Sequence, residues 1–188
     1  MTRHLVTDRR RFGLDADALV ARVAAAAARG IDVVQVRERD LPDRALVSLV
    51  RTMGAALDGT RARVVVNDRA DVALAAGAAG VHLPADSAPA SRIRRMVPSD
   101  FTIGRSVHSL AEIDDAVRDG ACDYLIFGTV FPSAGKAPGH PAAGIGALAA
   151  ACRRAPIPVI AIGGMSDARA AEVAAAGAAG LAAVGMFM

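Results

Sequence analysis

The sequence predicts a (β/α)8 TIM barrel, apparently lacking its last helix, as one domain over residues 1–188. Three observations carry that expectation: eight short apolar runs, Ala-rich amphipathic stretches between them, and one helix-to-strand joint that recurs along the chain. Continuous apolar runs imply strands buried on both faces, hence a parallel sheet covered by helices. A doubly wound open sheet should carry a Gly-rich phosphate turn directly after its first strand, whereas Thr7-Asp8-Arg9-Arg10-Arg11 stands here.

In chain order, strands are expected near residues 4–7, 32–37, 63–66, 80–83, 102–106, 124–128, 158–162 and 180–184. The joint reads Arg29-Gly30-Ile31-Asp32, Gly77-Ala78-Ala79-Gly80, Gly120-Ala121-Cys122-Asp123 and Gly177-Ala178-Ala179-Gly180. Glycine fits because a helix C-cap favours a left-handed backbone, and small neighbours let the helix lie close on the sheet. Asn67 or Asp68 is expected to cap the helix from Ala70. Ser109 should cap the one from Leu110, with Glu112 completing a capping box. The eighth strand ends near Val184 and the sequence stops at Met188, so no eighth helix is expected. A clipped barrel, or a second copy covering the flank of strands one and eight, would follow, and a homo-oligomer is expected.

Composition narrows the function classes. With 53% hydrophobic and 22% charged residues, 188 residues can build one substantial core. The net charge of +3 reflects arginine almost throughout, since Lys136 is the only lysine among 22 basic residues. Aromatic residues make up only 3%, so stacking platforms for nucleic acid are scarce. No apolar segment reaches the roughly 18–20 uncharged residues of a membrane span. The N-terminus orders its basic and apolar parts wrongly for a signal peptide, so a cytoplasmic location is expected. Cys122 and Cys152 stand apart from each other and from clustered histidines, indicating core residues rather than a disulfide or zinc site.

In such a barrel the site forms where the strands end and their loops begin. Period-two alternation puts Gln35, Arg37 and Arg39 on one side and Glu38 and Asp40 on the other, so two guanidiniums could grip a phosphate or diphosphate; a solvated charge run is the bland alternative. Asn67-Asp68 at the end of the third strand can present a carboxylate to Mg²⁺ or to substrate hydroxyls and amines. His82, sealed by Leu83-Pro84, reads as a satisfied core histidine, whereas Ser106 and His108 share a side after the fifth strand. The Gly- and Pro-rich stretch after Phe131 reads as a lid containing Lys136. Gly163-Gly164 and Val184-Gly185 offer bare backbone N–H groups in the loops that usually cradle phosphate.

Several of these motifs together resemble the thiamine phosphate synthase/TenI family in order and spacing. They are Leu5-Val6-Thr7-Asp8, Gln35-x-Arg37-Glu38, Asn67-Asp68-Arg69, Gly80-Val81-His82-Leu83, Ser106-x-His108-Ser109, Gly128-x-Val130-Phe131-Pro132 and Pro158 through Gly164. The resemblance spans the whole chain. It implies a transferase that couples hydroxymethylpyrimidine pyrophosphate to thiazole phosphate with Mg²⁺ and releases pyrophosphate. It implies Gln35, Arg37 and Asn67 on the pyrophosphate-bearing substrate, Asp68 on the metal, and Ser106 and Lys136 on the pyrimidine and leaving group. The thiazole phosphate would lie at Gly164 and Val184-Gly185. Arg39, His108, Thr129, Ser133 and Gly163 complete the substrate-binding set, and Ser106, Arg37 and Lys136 are the catalytic candidates.

The chain also departs from the synthase pattern. Arg39 replaces a lysine, Pro84-Ala85-Asp86-Ser87 replaces a Gly-Gln-x-Asp run, and Ser133-Ala134-Gly135 replaces a run of hydroxyl residues. Asp86 then stands one position out of register as the second metal carboxylate. Arg39, Leu83-Pro84, Gly104 through Ser109 and Gly163-Gly164-Met165 look more like the TenI branch, some of whose members are thiazole tautomerases. That branch carries a histidine where Thr129 stands, and threonine cannot shuttle a proton near neutral pH. The synthase is the principal expectation. A tautomerase, or a non-catalytic thiazole or thiamine phosphate binder, is the alternative, and an unrelated sugar-phosphate barrel is a blander one.

Overall fold

The computed structural model describes residues 1–133, 139 and 141–188. Eight parallel strands close into a barrel in sequence order. They are β1 (Thr2–Val6), β2 (Val33–Val36), β3 (Arg63–Asn67), β4 (Gly80–Leu83), β5 (Thr102–Val107), β6 (Tyr124–Gly128), β7 (Val159–Ile162) and β8 (Gly180–Ala183). Closure is direct, with β1 pairing to β2 on one side and β8 on the other.

The intervening helices are α1 (Ala16–Ala28), α2 (Asp43–Ala56), α3 (Ala70–Ala76), α4 (Ala90–Arg94), α5 (Leu110–Asp119), α6 (Gly144–Arg154) and α7 (Ala170–Ala175). Their apolar faces and the outward faces of the strands form one core that includes Leu5, Leu19, Val34, Met53, Ile103, Leu125 and Phe127. Burying each large side chain contributes about 1.5–3 kcal/mol before entropy is charged against it. The expected joints are present: Gly77 and Gly120 are left-handed C-caps, at φ 72° and 69°. Ser109 caps α5 by accepting from Glu112 N–H at 3.2 Å, and Glu112 reaches back to the N–H of His108 rather than of Ser109.

The expected cap on α3 is absent. Arg69 occupies that position without a side-chain cap, because Asn67 and Asp68 are engaged elsewhere. After β8 the chain reaches Met188 without a further helix. Phe187 tucks into the core, and the Arg3 guanidinium lies 5.1 Å from its ring centre.

The lumen is filled unevenly. Its lower part holds Tyr124, Ile126, Ile160 and Ala182. Tyr124 lies across Gly104, its register partner on β5, where a Cβ would stand 2.0 Å from the tyrosine Cζ. Gly104 in turn pairs with His82 on β4, so the missing side chain lets the phenol hydroxyl reach Nδ1 of His82 at 3.2 Å. Above this plug the lumen becomes polar and opens.

Candidate functional site

A cavity of about 590 Å³ opens over the C-terminal ends of the strands. Its lining includes Gln35, Arg37, Arg39, Asn67, Ser106, His108, Thr129, Ser133, Gly163, Gly164, Val184 and Gly185, the described substrate-binding candidates. Lys136 lies outside the described residues, as do residues 134, 135, 137, 138 and 140 of the expected lid. Asp68 and Asp86 are exposed and are not among the lining residues.

Arg37 and Arg39 reach the cavity because the chain keeps its alternation beyond β2. Arg37 N–H donates to the Thr7 hydroxyl at 2.9 Å, which ties that extension to β1. The intervening Glu38 turns away and accepts from Arg9 N–H at 3.1 and 3.2 Å. Burial pushes the Glu38 carboxyl up, against the pull of its Thr7 and Arg9 partners. Burial and the charge of neighbouring Arg39 hold Arg37 below the ordinary guanidinium range, despite Asp8 and Glu38. Arg11 and Arg169 also line the cavity, making four guanidiniums against the single carboxylate Asp8 among the described lining residues. Neither Arg11 nor Arg169 was expected from the sequence. Arg11 belongs to a basic run in which only the turn at 10–12 selects one side chain, and Arg169 is placed by stacking 4.2 Å from the Phe131 ring centre.

The floor is polar but uncharged. His82 is satisfied as expected, through Tyr124 at Nδ1 and the Ser106 hydroxyl at Nε2, 2.9 Å away; it also lines the cavity. Burial holds it well below the ordinary histidine range, with the positive charge of Arg105 acting the same way. His4, also fully buried, contacts Gln35 Oε1 through Nε2 at 3.1 Å, and Gln35 Nε2 donates to Asn67 Oδ1 at 2.9 Å. Nδ1 of His108 lies 2.5 Å from the carbonyl oxygen of Gly128, so this nitrogen carries the ring proton.

Loop seven uses its glycines for close approach. A Cβ on Gly163 would meet Thr129 Cγ2 at 2.4 Å, and one on Gly164 would meet the Pro132 carbonyl oxygen at 2.5 Å. The two loops therefore form a continuous wall.

Asp68 takes a left-handed backbone (φ 63°), which aspartate tolerates better than most residues. Its N–H donates to the His82 carbonyl at 2.8 Å, and its Oδ1 accepts from the Ser87 hydroxyl at 2.7 Å. Arg105 clamps the loop carrying Ser87 by donating to the carbonyls of Ala85, Ser87 and Ala88. Asp86 lies on that same loop. Among the described residues no three His, Cys, Asp or Glu side chains gather into a metal cage. An oriented carboxylate nevertheless fits the protein's share of a Mg²⁺ site, because this ion commonly takes one or two carboxylates and completes its shell with phosphate oxygens and water.

Comparison with known proteins bears on this geometry. The family model for thiamine monophosphate synthase (TMP-TENI) matches residues 4–187. A thiamine-phosphate synthase of Methanoculleus marisnigri is 42% identical over 159 residues, covering 85% of this chain and 75% of that protein. One from Anaeromyxobacter dehalogenans is 44% identical over 160 residues, covering 85% and 71%. A thiamine phosphate pyrophosphorylase structure from Pyrococcus furiosus superposes with a TM-score of 0.82 at 32% identity, covering 97% of this chain and 85% of that one.

Proposed function

Because the chain belongs to the thiamine monophosphate synthase family, we propose that it joins hydroxymethylpyrimidine pyrophosphate to thiazole phosphate, releasing pyrophosphate and forming thiamine phosphate. The supporting observation is the asymmetry of the cavity, where four guanidiniums and a floor of neutral hydrogen-bonding groups surround a space of about 590 Å³.

The chemistry needs little from the protein beyond this. The bond between the pyrimidine methylene carbon and the diphosphate oxygen breaks, its electron pair leaves with pyrophosphate, and the cation left behind is stabilised by the pyrimidine's own amino group. The thiazole then captures that carbon. A site that binds the departing anion and excludes water lowers the barrier, with no strong base required. Arg37 and Arg39 grip the diphosphate as charged forks, while Gln35 and Asn67 contact it as neutral amides. Ser106, supported by His82, contacts the pyrimidine, and His108, Thr129 and Ser133 line its side of the cavity. Gly163, Gly164, Val184 and Gly185 receive the thiazole phosphate. Lys136 is assigned to the leaving group from its motif position alone.

Asp68 would hold Mg²⁺, with Asp86 on the adjacent loop as the second carboxylate. When bound, the ion neutralises charge on the departing pyrophosphate. Among the described residues no helix is long and apolar enough to cross a membrane, and this reading includes a cytoplasmic homo-oligomer.

The test is to mix the two substrates and follow pyrophosphate and thiamine phosphate together, with and without Mg²⁺. Stoichiometric appearance of both, dependent on the metal, is expected. Saturable binding without turnover would replace the reading by a receptor, and metal-free isomerisation of the thiazole carboxylate by a tautomerase.

A further inference from the structure

His4 is fully buried beneath the cavity, does not line it, and has no part in the chemistry above. Its Nε2 faces Gln35 Oε1 at 3.1 Å, whereas Nδ1 is the one buried side-chain polar atom without a partner among the described residues. Gln35 is itself buried and passes the contact on, its Nε2 donating to Asn67 Oδ1 at 2.9 Å.

We infer that His4 is a positioning residue, fixing the direction of a relay from its Nε2–H through the Gln35 amide to Asn67, which turns the Asn67 NH₂ group toward the bound anion. The inference deepens the diphosphate-site reading and rests on it.

The unpartnered nitrogen decides the direction. A neutral imidazole has one N–H, and an orphaned N–H in a dry interior is rarer and costlier than an orphaned acceptor. With the proton on Nε2, His4 donates to the Gln35 oxygen and leaves only an acceptor bare. If the Gln35 amide were reversed, its NH₂ would donate to Nε2 and force the proton onto Nδ1, where nothing accepts it. The reversed amide would also present its oxygen to Asn67, turning the Asn67 NH₂ inward and its carbonyl oxygen toward the anion. Burial keeps the ring neutral at physiological pH by lowering its pKa to about 4, so His4 has a single N–H to place. The two faces of Asn67 differ sharply for an anion: the NH₂ donates, and the carbonyl repels.

The test combines two measurements on the whole protein. Nitrogen NMR of ¹⁵N-histidine-labelled protein at neutral pH should show His4 protonated at Nε2 and bare at Nδ1. Protonation at Nδ1 overturns the relay. Calorimetric affinity for inorganic pyrophosphate should fall about three- to tenfold in His4→Leu, the size of one lost hydrogen bond, and stay within about twofold in His4→Gln, whose amide can still donate along the same line. Equal losses in both variants, or none in His4→Leu, would assign His4 to packing alone. Should His4→Leu fail to fold, the tautomer in the wild-type protein decides. Failure of the wild-type protein to bind pyrophosphate would instead overturn the diphosphate reading, and the tautomer would still decide the relay's direction.

Discussion

At the rim of the cavity Arg11 and Arg39 are exposed guanidiniums and Arg37 is half-buried beside them; on the floor His4, Gln35 and His82 are buried and His4 and His82 uncharged. Both regions can attract an anion, by different means. The rim offers full charges that remain solvated, which are cheap to keep and screened by salt. The floor offers oriented dipoles that salt does not reach, at the cost of burying polar groups that must satisfy one another. The pair separates long-range capture from short-range orientation.

Acid should break the floor first, and with the largest effect. His4 has a folded pKa of about 4 against its ordinary 6.5, so between those values the unfolded chain binds more protons than the folded one. Stability is therefore complete above pH 6.5 and falls as pH drops toward 4, by about 3 kcal/mol from this group, with His82 acting in the same direction. Urea unfolding at stepped pH measures the slope, and His4→Gln should flatten it. Gly104→Ala attacks the same region by volume. The added methyl meets the Tyr124 ring at 2.0 Å, and a loss of about 2–3 kcal/mol is expected in urea unfolding.

The rim should respond in binding rather than in folding. Arg37→Ala should weaken pyrophosphate about thirtyfold, the scale of a charge-assisted hydrogen bond, while leaving the unfolding midpoint close to the wild-type value. Smallest is the salt effect. Raising ionic strength from about 0.05 to 0.5 M should weaken pyrophosphate severalfold in the wild type and less in Arg37→Ala, because the variant has less charge to screen. An equal salt response in the two proteins would place the recognition on the floor alone.

The rim was legible in part, because alternation along an extended chain fixes which side chains share a face. Arg37 and Arg39, and Gln35 on the floor below them, followed from that rule, and the strand boundaries followed from the apolar runs to within about two residues. Arg169 was not legible, since its position comes from stacking on Phe131, a residue far away in sequence. The floor was legible only in part. His82 read as a satisfied core residue, but its partners Tyr124 and Ser106 come from two other strands, and the space for Tyr124 depends on a glycine across the register. His4 alternates with Val6 on β1, so both turn to the inner face, but only the closed barrel shows that Val6 lines the cavity and His4 lies beneath it. The α3 cap failed because Asn67 and Asp68 had two plausible local roles, and tertiary partners took both side chains.

A crystal structure of the protein with pyrophosphate and Mg²⁺ tests the central claim most directly. The anion should lie inside the barrel mouth, touching the guanidiniums of Arg37 and Arg39 and the amide nitrogen of Asn67. Pyrophosphate bound elsewhere on the molecule, with those three side chains making no contact to it, would contradict the account.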